Sequence, residues 1–275
     1  MEVSMKIVNL IEDTKGEKEL HHEHGLSFYI ETEKHKILMD TGASEAFKEN
    51  ATTLGIDLTQ VDIVVLSHGH YDHAGGILAF AKINPNATIY MQKAAGRDYY
   101  NLRDNMEKYI GIDKRILDLP QVHFLKGDYR IDEEICVFTN ILGRKYWPQS
   151  NLLLKEKVEK GFIQDIFSHE QCLVVSQKHE NVLLSGCAHN GILNILEAYK
   201  ERFEGTPDKV ISGFHMMKRG AYTAEEIEVI EDTAKELKKL HTKFYTGHCT
   251  GEVAFDMMKE IMGNQLTFVR CGDEV

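Results

Sequence analysis

An apolar run, Val61-Asp62-Ile63-Val64-Val65-Leu66, passes directly into Ser67-His68-Gly69-His70-Tyr71-Asp72-His73-Ala74-Gly75-Gly76, and this junction constrains the fold more than any other part of the chain. The β-branched and aliphatic run reads as a buried strand, and the glycines read as the turn that follows it. His68, His70, Asp72 and His73 therefore stand at a strand end, where a rigid sheet presents a loop to solvent. Neutral imidazole and carboxylate suit zinc and other borderline or harder divalent ions, and the close spacing lets one loop feed two adjacent metal positions. A merely solvated polar loop has no need of that set of side chains.

At 275 residues, 43% hydrophobic and 27% charged, the chain is long enough to bury one large core, and residues 1–275 are read as a single domain. The formal net charge of -11 argues against a broad nucleic-acid-binding surface, because phosphate contacts need clustered Lys and Arg. No apolar run has transmembrane length, and Met1-Glu2-Val3-Ser4-Met5-Lys6 lacks the pattern of a signal peptide, so a cytoplasmic location away from membranes is expected. Cys136, Cys172, Cys187, Cys249 and Cys271 are scattered, without a C-x-x-C pair; neither a disulfide framework nor a thiolate zinc site is suggested.

Strand patterns at 5–10, 26–30 and 36–39, with polar turns between them, predict a sheet built by hairpins. Asp40-Thr41-Gly42 ends the third, a helix is expected over 44–54, and a strand over 61–66. Beyond the histidine cluster, a helix over 77–83 and a strand over 87–91 make a βαβ unit. Further strands at 121–125, 134–138, 172–176 and 182–185 precede helix, strand and helix toward the C-terminus, where Thr223-Ala224-Glu225-Glu226 has capping-box spacing and opens a helix to about Leu240. Strands then helices, twice over, fit two sheets packed face to face with helices outside. The stretch 139–169 holds Trp147, Pro148, Phe162 and Phe167 without a clear period and is read as a lid over the site or a packed insertion, with substrate choice residing around Trp147, Tyr99, Tyr100 and the N-terminal histidines.

Three more histidines follow strand-like runs: His189, His215 and His248. Strand ends on one edge of a sheet converge on a common rim, so His189 and His248 are read as ligands and His215 as a group for substrate or proton transfer. His189 and His248 also precede expected helices at 190–203 and 250–262, whose N–H groups would favour an anionic substrate arm, with Asn190 and Thr250 available as N-caps. His24, in a polar turn with His21 and His22, is a candidate to reach substrate, while His35, His123, His169, His179 and His241 are read as surface or loop residues. Cys187 is either a thiolate ligand or a small buried hydrophobe; the second is expected, with Cys187 packing inward and His189 reaching the metals.

Asp40-Thr41-Gly42, the His68, His70, Asp72, His73 cluster, Ser185-Gly186-Cys187-Ala188-His189 and Tyr245-Thr246-Gly247-His248 follow the motif order of the metallo-β-lactamase-fold superfamily, which the chain resembles over nearly its whole length. His24-Gly25-Leu26-Ser27, Gly213-Phe214-His215-Met216 and Gly247-His248-Cys249-Thr250-Gly251 are similar to the branch labelled dihydropterin ribofuranosyl-aminobenzene phosphate synthase, which implies pterin transfer chemistry. The resemblance implies an α/β fold, an αββα sandwich of two mixed β-sheets with outer helices and a metal site at one edge between the sheets. It implies that His68, His70 and His189 hold one metal and that Asp72, His73 and His248 hold another, with Asp40 beneath them orienting the ligands. Zinc is the expected ion, in one or two copies, with iron, manganese or nickel as alternatives. Many members carry a bridging Asp where this chain has Cys187, and neither Asp208 nor Asp232 lies at a strand end to replace it.

The expected activity is hydrolysis or transfer at phosphorus or carbonyl carbon of a small substrate bearing phosphate or carboxylate, by metal-activated water, with Asp72 and His215 as the catalytic side chains. Two rivals remain at this stage. A di-iron redox site on the same fold would resemble His-x-Glu-x-Asp, whereas this chain has His-x-His-x-Asp-His. A metal or ligand carrier without turnover is the other, kept alive by the absent bridging Asp.

Overall fold

Side chains two apart along a strand share a face, and in the central strands both faces are apolar. Ile37, Met39, Ile63 and Val65 point into one core, shared with Ile135, Val137, Leu173, Val175, Val182, Leu184 and Ile211 from the other half of the chain. Leu38 and Val64 point the opposite way, against Phe47, Ala51, Ile77 and Phe80 of covering helices. On the far side Val174, Leu183, Val210 and Phe244 pack against Ile195, Tyr199, Ile230, Leu237, Ala254 and Met258. Strands apolar on both faces need cover on both. The result is four layers, helix, sheet, sheet, helix, as the sequence predicts.

The computed structural model describes residues 4–104 and 106–275. In chain order the elements are β1 (Lys6–Ile11), β2 (Ser27–Glu31), β3 (Lys36–Met39), α1 (Ala46–Thr53), β4 (Ile63–Val65), α2 (Tyr71–Ala74), α3 (Ile77–Ile83), β5 (Thr88–Gln92), β6 (Tyr99–Arg103), β7 (Met106–Tyr109), β8 (Val122–Leu125), β9 (Tyr129–Arg130) and β10 (Ile135–Phe138). They continue with β11 (Leu154–Val158), β12 (Gly161–Gln164), β13 (Cys172–Gln177), β14 (Glu180–Ser185), α4 (Ile192–Lys200), β15 (Lys209–Ser212), α5 (Ala224–Lys238), β16 (Lys243–Thr246), α6 (Glu252–Met262) and β17 (Leu266–Phe268).

The first sheet runs β1-β2-β3-β4-β5-β8 and the second β17-β16-β15-β14-β13-β10-β9. β1, β2 and β3 pair antiparallel, as hairpins do, and β3, β4 and β5 pair parallel around the expected βαβ unit. In the second sheet β14, β15, β16 and β17 are parallel. Parallel neighbours end on one rim, so the residues after β3, β4, β14, β15 and β16 meet at a single edge of the sandwich. The turns there are tight. Asp40, Ala188, His215 and His248 all have positive φ, at 59°, 52°, 52° and 47°, a conformation that side-chain-bearing residues adopt sparsely and that gathers at functional sites.

The stretch 139–169 is not a structureless excursion. A 3-10 turn at Gln149–Leu153 leads into the β11–β12 hairpin, which pairs through β11 with β6 to give a third sheet, β12-β11-β6-β7. The helices expected to be capped by Asn190 and Thr250 begin later, with Gly191 and Gly251 at their N-caps.

Candidate metal centre

Four buried imidazoles have their protons committed by hydrogen bonds behind them. Asp40 accepts from the Ser67 amide and hydroxyl at 2.7 Å each and from His73 Nδ1 at 2.7 Å. Because the Ser67 hydroxyl proton goes to Asp40, its oxygen accepts from His68 Nδ1 at 2.8 Å. Asn151 donates its amide to the His189 carbonyl at 2.7 Å, so its oxygen accepts from His189 Nδ1 at 3.0 Å. Asp13 accepts from His248 Nδ1 at 2.6 Å. The fixed Nδ1 protons turn every Nε2 toward the rim, which is how proteins orient metal-binding histidines.

The consequence is clearest where His68 Nε2 and His189 Nε2 face each other at 3.2 Å. Burial holds both imidazoles well below the usual histidine range, and neighbouring histidines add to the effect. Two neutral rings whose single protons sit on Nδ1 present lone pairs to each other, an arrangement that calls for a cation between or beside them. His70 joins them, its ring 4.8 Å from that of His189; its buried Nε2 has no hydrogen-bond partner, and burial takes it down to about 3.

Asp72 organises the second group. Its Oδ2 lies 3.7 Å from His73 Nε2, 3.5 Å from His248 Nε2 and 3.6 Å from His24 Nε2. Burial raises the Asp72 carboxyl, but the imidazoles around it outweigh that and keep it well below the usual carboxylate range. Burial likewise opposes charge on His248, but the hydrogen bond from its Nδ1 to Asp13 and the nearby Asp72 carboxylate prevail, so its pKa lies well above the ordinary value.

Cys187 does not pack inward. Its sulfur lies 3.1 Å from His73 Nε2, within a set that includes His68 and His189 and another that includes His73 and His248. It is thus common to both groups. Burial raises its thiol well above the ordinary range, and only a bound cation would remove that proton. His215 stands on the outer side, its ring 4.2 Å from His189, its buried Nδ1 without a partner and its backbone N–H on Cys249 Sγ at 3.3 Å.

His68, His70, Asp72, His73, His189 and His248 are therefore brought together, with Asp40 beneath, Cys187 between, and His24 and His215 at the margin. Above them opens a cavity of about 480 Å³, within the range of small-molecule sites, whose walls include His24, Tyr71, Asn101, Arg103, Lys108, Ser150, Leu154, His215, Lys218 and Arg219. Trp147, Tyr99 and Tyr100 do not line it. Trp147 packs instead on Phe167, ring centroids 6.0 Å apart, and Tyr99 on His169 at 4.1 Å.

Sequence reasoning missed several supports. His169, read as a surface or loop residue, is fully buried; its Nδ1 accepts from the Gly69 amide at 2.9 Å and its Nε2 donates to Asp165 at 3.0 Å. That bond fixes the one residue between His68 and His70. Glu170 accepts from the amides of His189 and Asn190 at 2.6 and 2.9 Å, and Glu12 accepts from the His248 amide. Carboxylates just after β1 and just before β13 were the available signal for Asp13, Glu12 and Glu170; Asn151 gave none.

The model of the metallo-beta-lactamase superfamily matches residues 22–223. The chain belongs to that superfamily. Among curated relatives, the 7,8-dihydropterin-6-methyl-4-(beta-D-ribofuranosyl)-aminobenzene-5'-phosphate synthase of Methanocaldococcus jannaschii is 30% identical, over 94% of this chain and 91% of its own. Among solved structures, Tm1679, a metal-dependent hydrolase of the beta-lactamase superfamily, superposes with a TM-score of 0.81 at 30% identity, covering 99% of this chain and 98% of the other. The metallo-beta-lactamase fold protein YhfI from Bacillus subtilis, at 11% identity and a TM-score of 0.60, covers 99% and 100% and shares the fold. Proteins of this fold typically bind divalent metals, and His68, Cys187 and His189, and His73, Cys187 and His248, form groups that could hold one.

Proposed function

We propose that this chain is a metal-dependent enzyme that transfers or hydrolyses a group on a small anionic substrate bearing phosphate or carboxylate. The observation that carries the reading is the pair of facing Nε2 atoms of His68 and His189, 3.2 Å apart, at the floor of a cavity whose wall holds Arg103, Lys108 and Arg219. In a chain of net charge -11, these cations lining one cavity are a local exception. Among the described residues Arg103 and Arg219 have no carboxylate partner, and Lys108 meets only Tyr71, its Nζ 3.3 Å from the hydroxyl.

His68, His70 and His189 would hold one divalent ion, zinc by preference, and Asp72, His73 and His248 a second, with the Cys187 sulfur reaching toward both. When bound, such ions supply Lewis acidity and acidify a water to a pKa of about 7. The chain's own residues do the rest. Arg103, Lys108 and Arg219 hold the anionic arm, and the third sheet keeps the reacting end away from bulk water. His215, with an unpartnered buried Nδ1, is placed to hand a proton to the leaving group, and Asp72 to orient the attacking oxygen.

The relative in Methanocaldococcus, a synthase of a dihydropterin-bearing aminobenzene phosphate, favours transfer of a dihydropterin group to an aminobenzene phosphate over simple hydrolysis. The test pairs metal analysis with turnover. Protein carrying zinc is assayed, with mass-spectrometric detection, on phosphate and carboxylate esters and on an activated dihydropterin with ribofuranosyl-aminobenzene phosphate. The His70→Ala, His189→Ala double variant should lose most of its metal and all turnover. His215→Ala should keep its metal and lose roughly 10²-fold in kcat, the usual scale for a general acid. Full metal retention by the double variant, or absence of turnover with every substrate by metal-replete protein, would defeat the reading.

A further inference from the structure

We propose that His24 is a fourth protein ligand of the second metal position, completing with Asp72, His73 and His248 a three-histidine, one-carboxylate set. The inference rests on the two-metal reading above and adds a residue to it.

The geometry begins with Asp13, in the segment that leaves β1. One of its oxygens accepts from His248 Nδ1 at 2.6 Å and the other from His24 Nδ1 at 2.7 Å. A single carboxylate thus sets the tautomer and the direction of both rings. The rings stack, centroids 4.9 Å apart and planes 30° from parallel, so their Nε2 atoms leave Asp13 on the same side. That side is Asp72. Its Oδ2 stands 3.6 Å from His24 Nε2, 3.5 Å from His248 Nε2 and 3.7 Å from His73 Nε2.

Equal spacing of three nitrogens about one oxygen is the signature to weigh. Ligands about 2.1 Å from a tetrahedral ion lie about 3.4 Å from one another, close to the three separations seen. All three lie at ion-pair distance and longer than a well-formed hydrogen bond. His248 Nε2 is buried without a hydrogen-bond partner, which is what a ligand nitrogen looks like when the ion is taken away.

The loop that carries His24 is fastened to the metal-binding loop, so this approach is built in. The Leu26 amide donates to the Asp72 carbonyl at 3.1 Å. Gly25 allows that contact: a Cβ there would lie 2.8 Å from the Ala43 nitrogen and 2.9 Å from the Asp72 carbonyl oxygen. His24 itself lines the cavity, so its ligation would also close one side of the second ion to substrate.

The experiment adds cobalt(II) to metal-free protein and reads both equivalents by d–d absorption and chelator competition. His24→Ala should weaken the second equivalent by more than the roughly 10- to 100-fold that loss of a ligand's hydrogen-bond partner costs, and should leave the first within threefold. His24→Asn separates ligation from support, because its amide N–H can still donate to Asp13 while no imidazole nitrogen remains. It should behave as His24→Ala. If His24→Asn binds the second cobalt as the parent does, His24 is only a support and the proposal falls. His248→Ala is the control. Loss of the second equivalent in His248→Ala but not in His24→Ala overturns this inference alone, whereas retention of both equivalents in His248→Ala overturns the two-metal reading and this inference with it. Far-UV circular dichroism of each metal-free variant checks folding, and a misfolded His24→Ala leaves His24→Asn to decide.

Discussion

Acid should unfold the metal-free protein through its buried histidines, and His70 gives the size of the effect. Its folded-state pKa is depressed to about 3, against about 6.5 for an unfolded chain. The unfolded state therefore binds a proton that the folded state refuses, and the stability this represents is present above pH 6.5 and is lost as pH falls below it. By pH 5 the loss from His70 is roughly 2 kcal/mol, growing to about 4 kcal/mol near pH 3. His68 and His189 shift in the same direction, while Glu12, raised by burial to about 7, works the opposite way because its folded form keeps its proton longer. A comparison with His70→Gln cancels those other groups. Urea unfolding, followed by the fluorescence of the sole tryptophan, Trp147, would be measured on both metal-free proteins at pH 7.5 and pH 5. The stability gap between parent and variant should move by about 2 kcal/mol against the parent as pH drops. Parallel behaviour of the two proteins would refute the argument that His70 is held neutral by burial.

Asn151→Ala removes the acceptor that fixes the His189 tautomer and should weaken the first metal by roughly 10- to 100-fold, read by chelator competition, with little change in circular dichroism. Gly69→Ala places a Cβ 2.6 Å from the Ala95 carbonyl oxygen and should lower stability by about 1–3 kcal/mol, measured as a fall in the urea midpoint of unfolding. Arg103→Ala with Lys108→Ala should raise KM for the anionic substrate at least 10-fold while sparing kcat, the pattern of lost ground-state binding; an unchanged KM would remove that wall from substrate recognition.

What the sequence made legible is what lies close together in it or at a repeated place in the fold. The His68 to His73 cluster occupies six consecutive positions, and His189, His215 and His248 each follow an apolar run. Cys187 was misplaced for a definite reason. Alternation of faces holds only within a strand, and β14 stops at Ser185, with Ala188 then turning to a φ of 52°. Within a strand, positions two apart share a face, so alternation gave no ground for setting Cys187 opposite His189, and beyond the end of β14 both reach the rim. His169 and Asp13 were opaque because their partners are remote, Gly69 lying 100 residues away and His248 lying 235. The β11–β12 hairpin was hidden because, apart from buried Leu154, its residues are intermediate or exposed, leaving no apolar period to read.

The 3-10 turn at Gln149–Leu153 binds the roof of the cavity to its floor. Asn151 holds His189 by two hydrogen bonds while its own carbonyl accepts from Gln164 of β12 at 2.9 Å, and Ser150 donates to the His215 carbonyl at 2.9 Å. Whatever presses on the third sheet therefore also bears on the His189 imidazole. With His189 holding an ion as proposed, a compound that steadies this turn would tighten the grip on the ion, and by thermodynamic reciprocity the ion would tighten the grip on that compound by the same factor. Scarcity of metal would then be felt first as poor capture of substrate, before any catalytic group is altered.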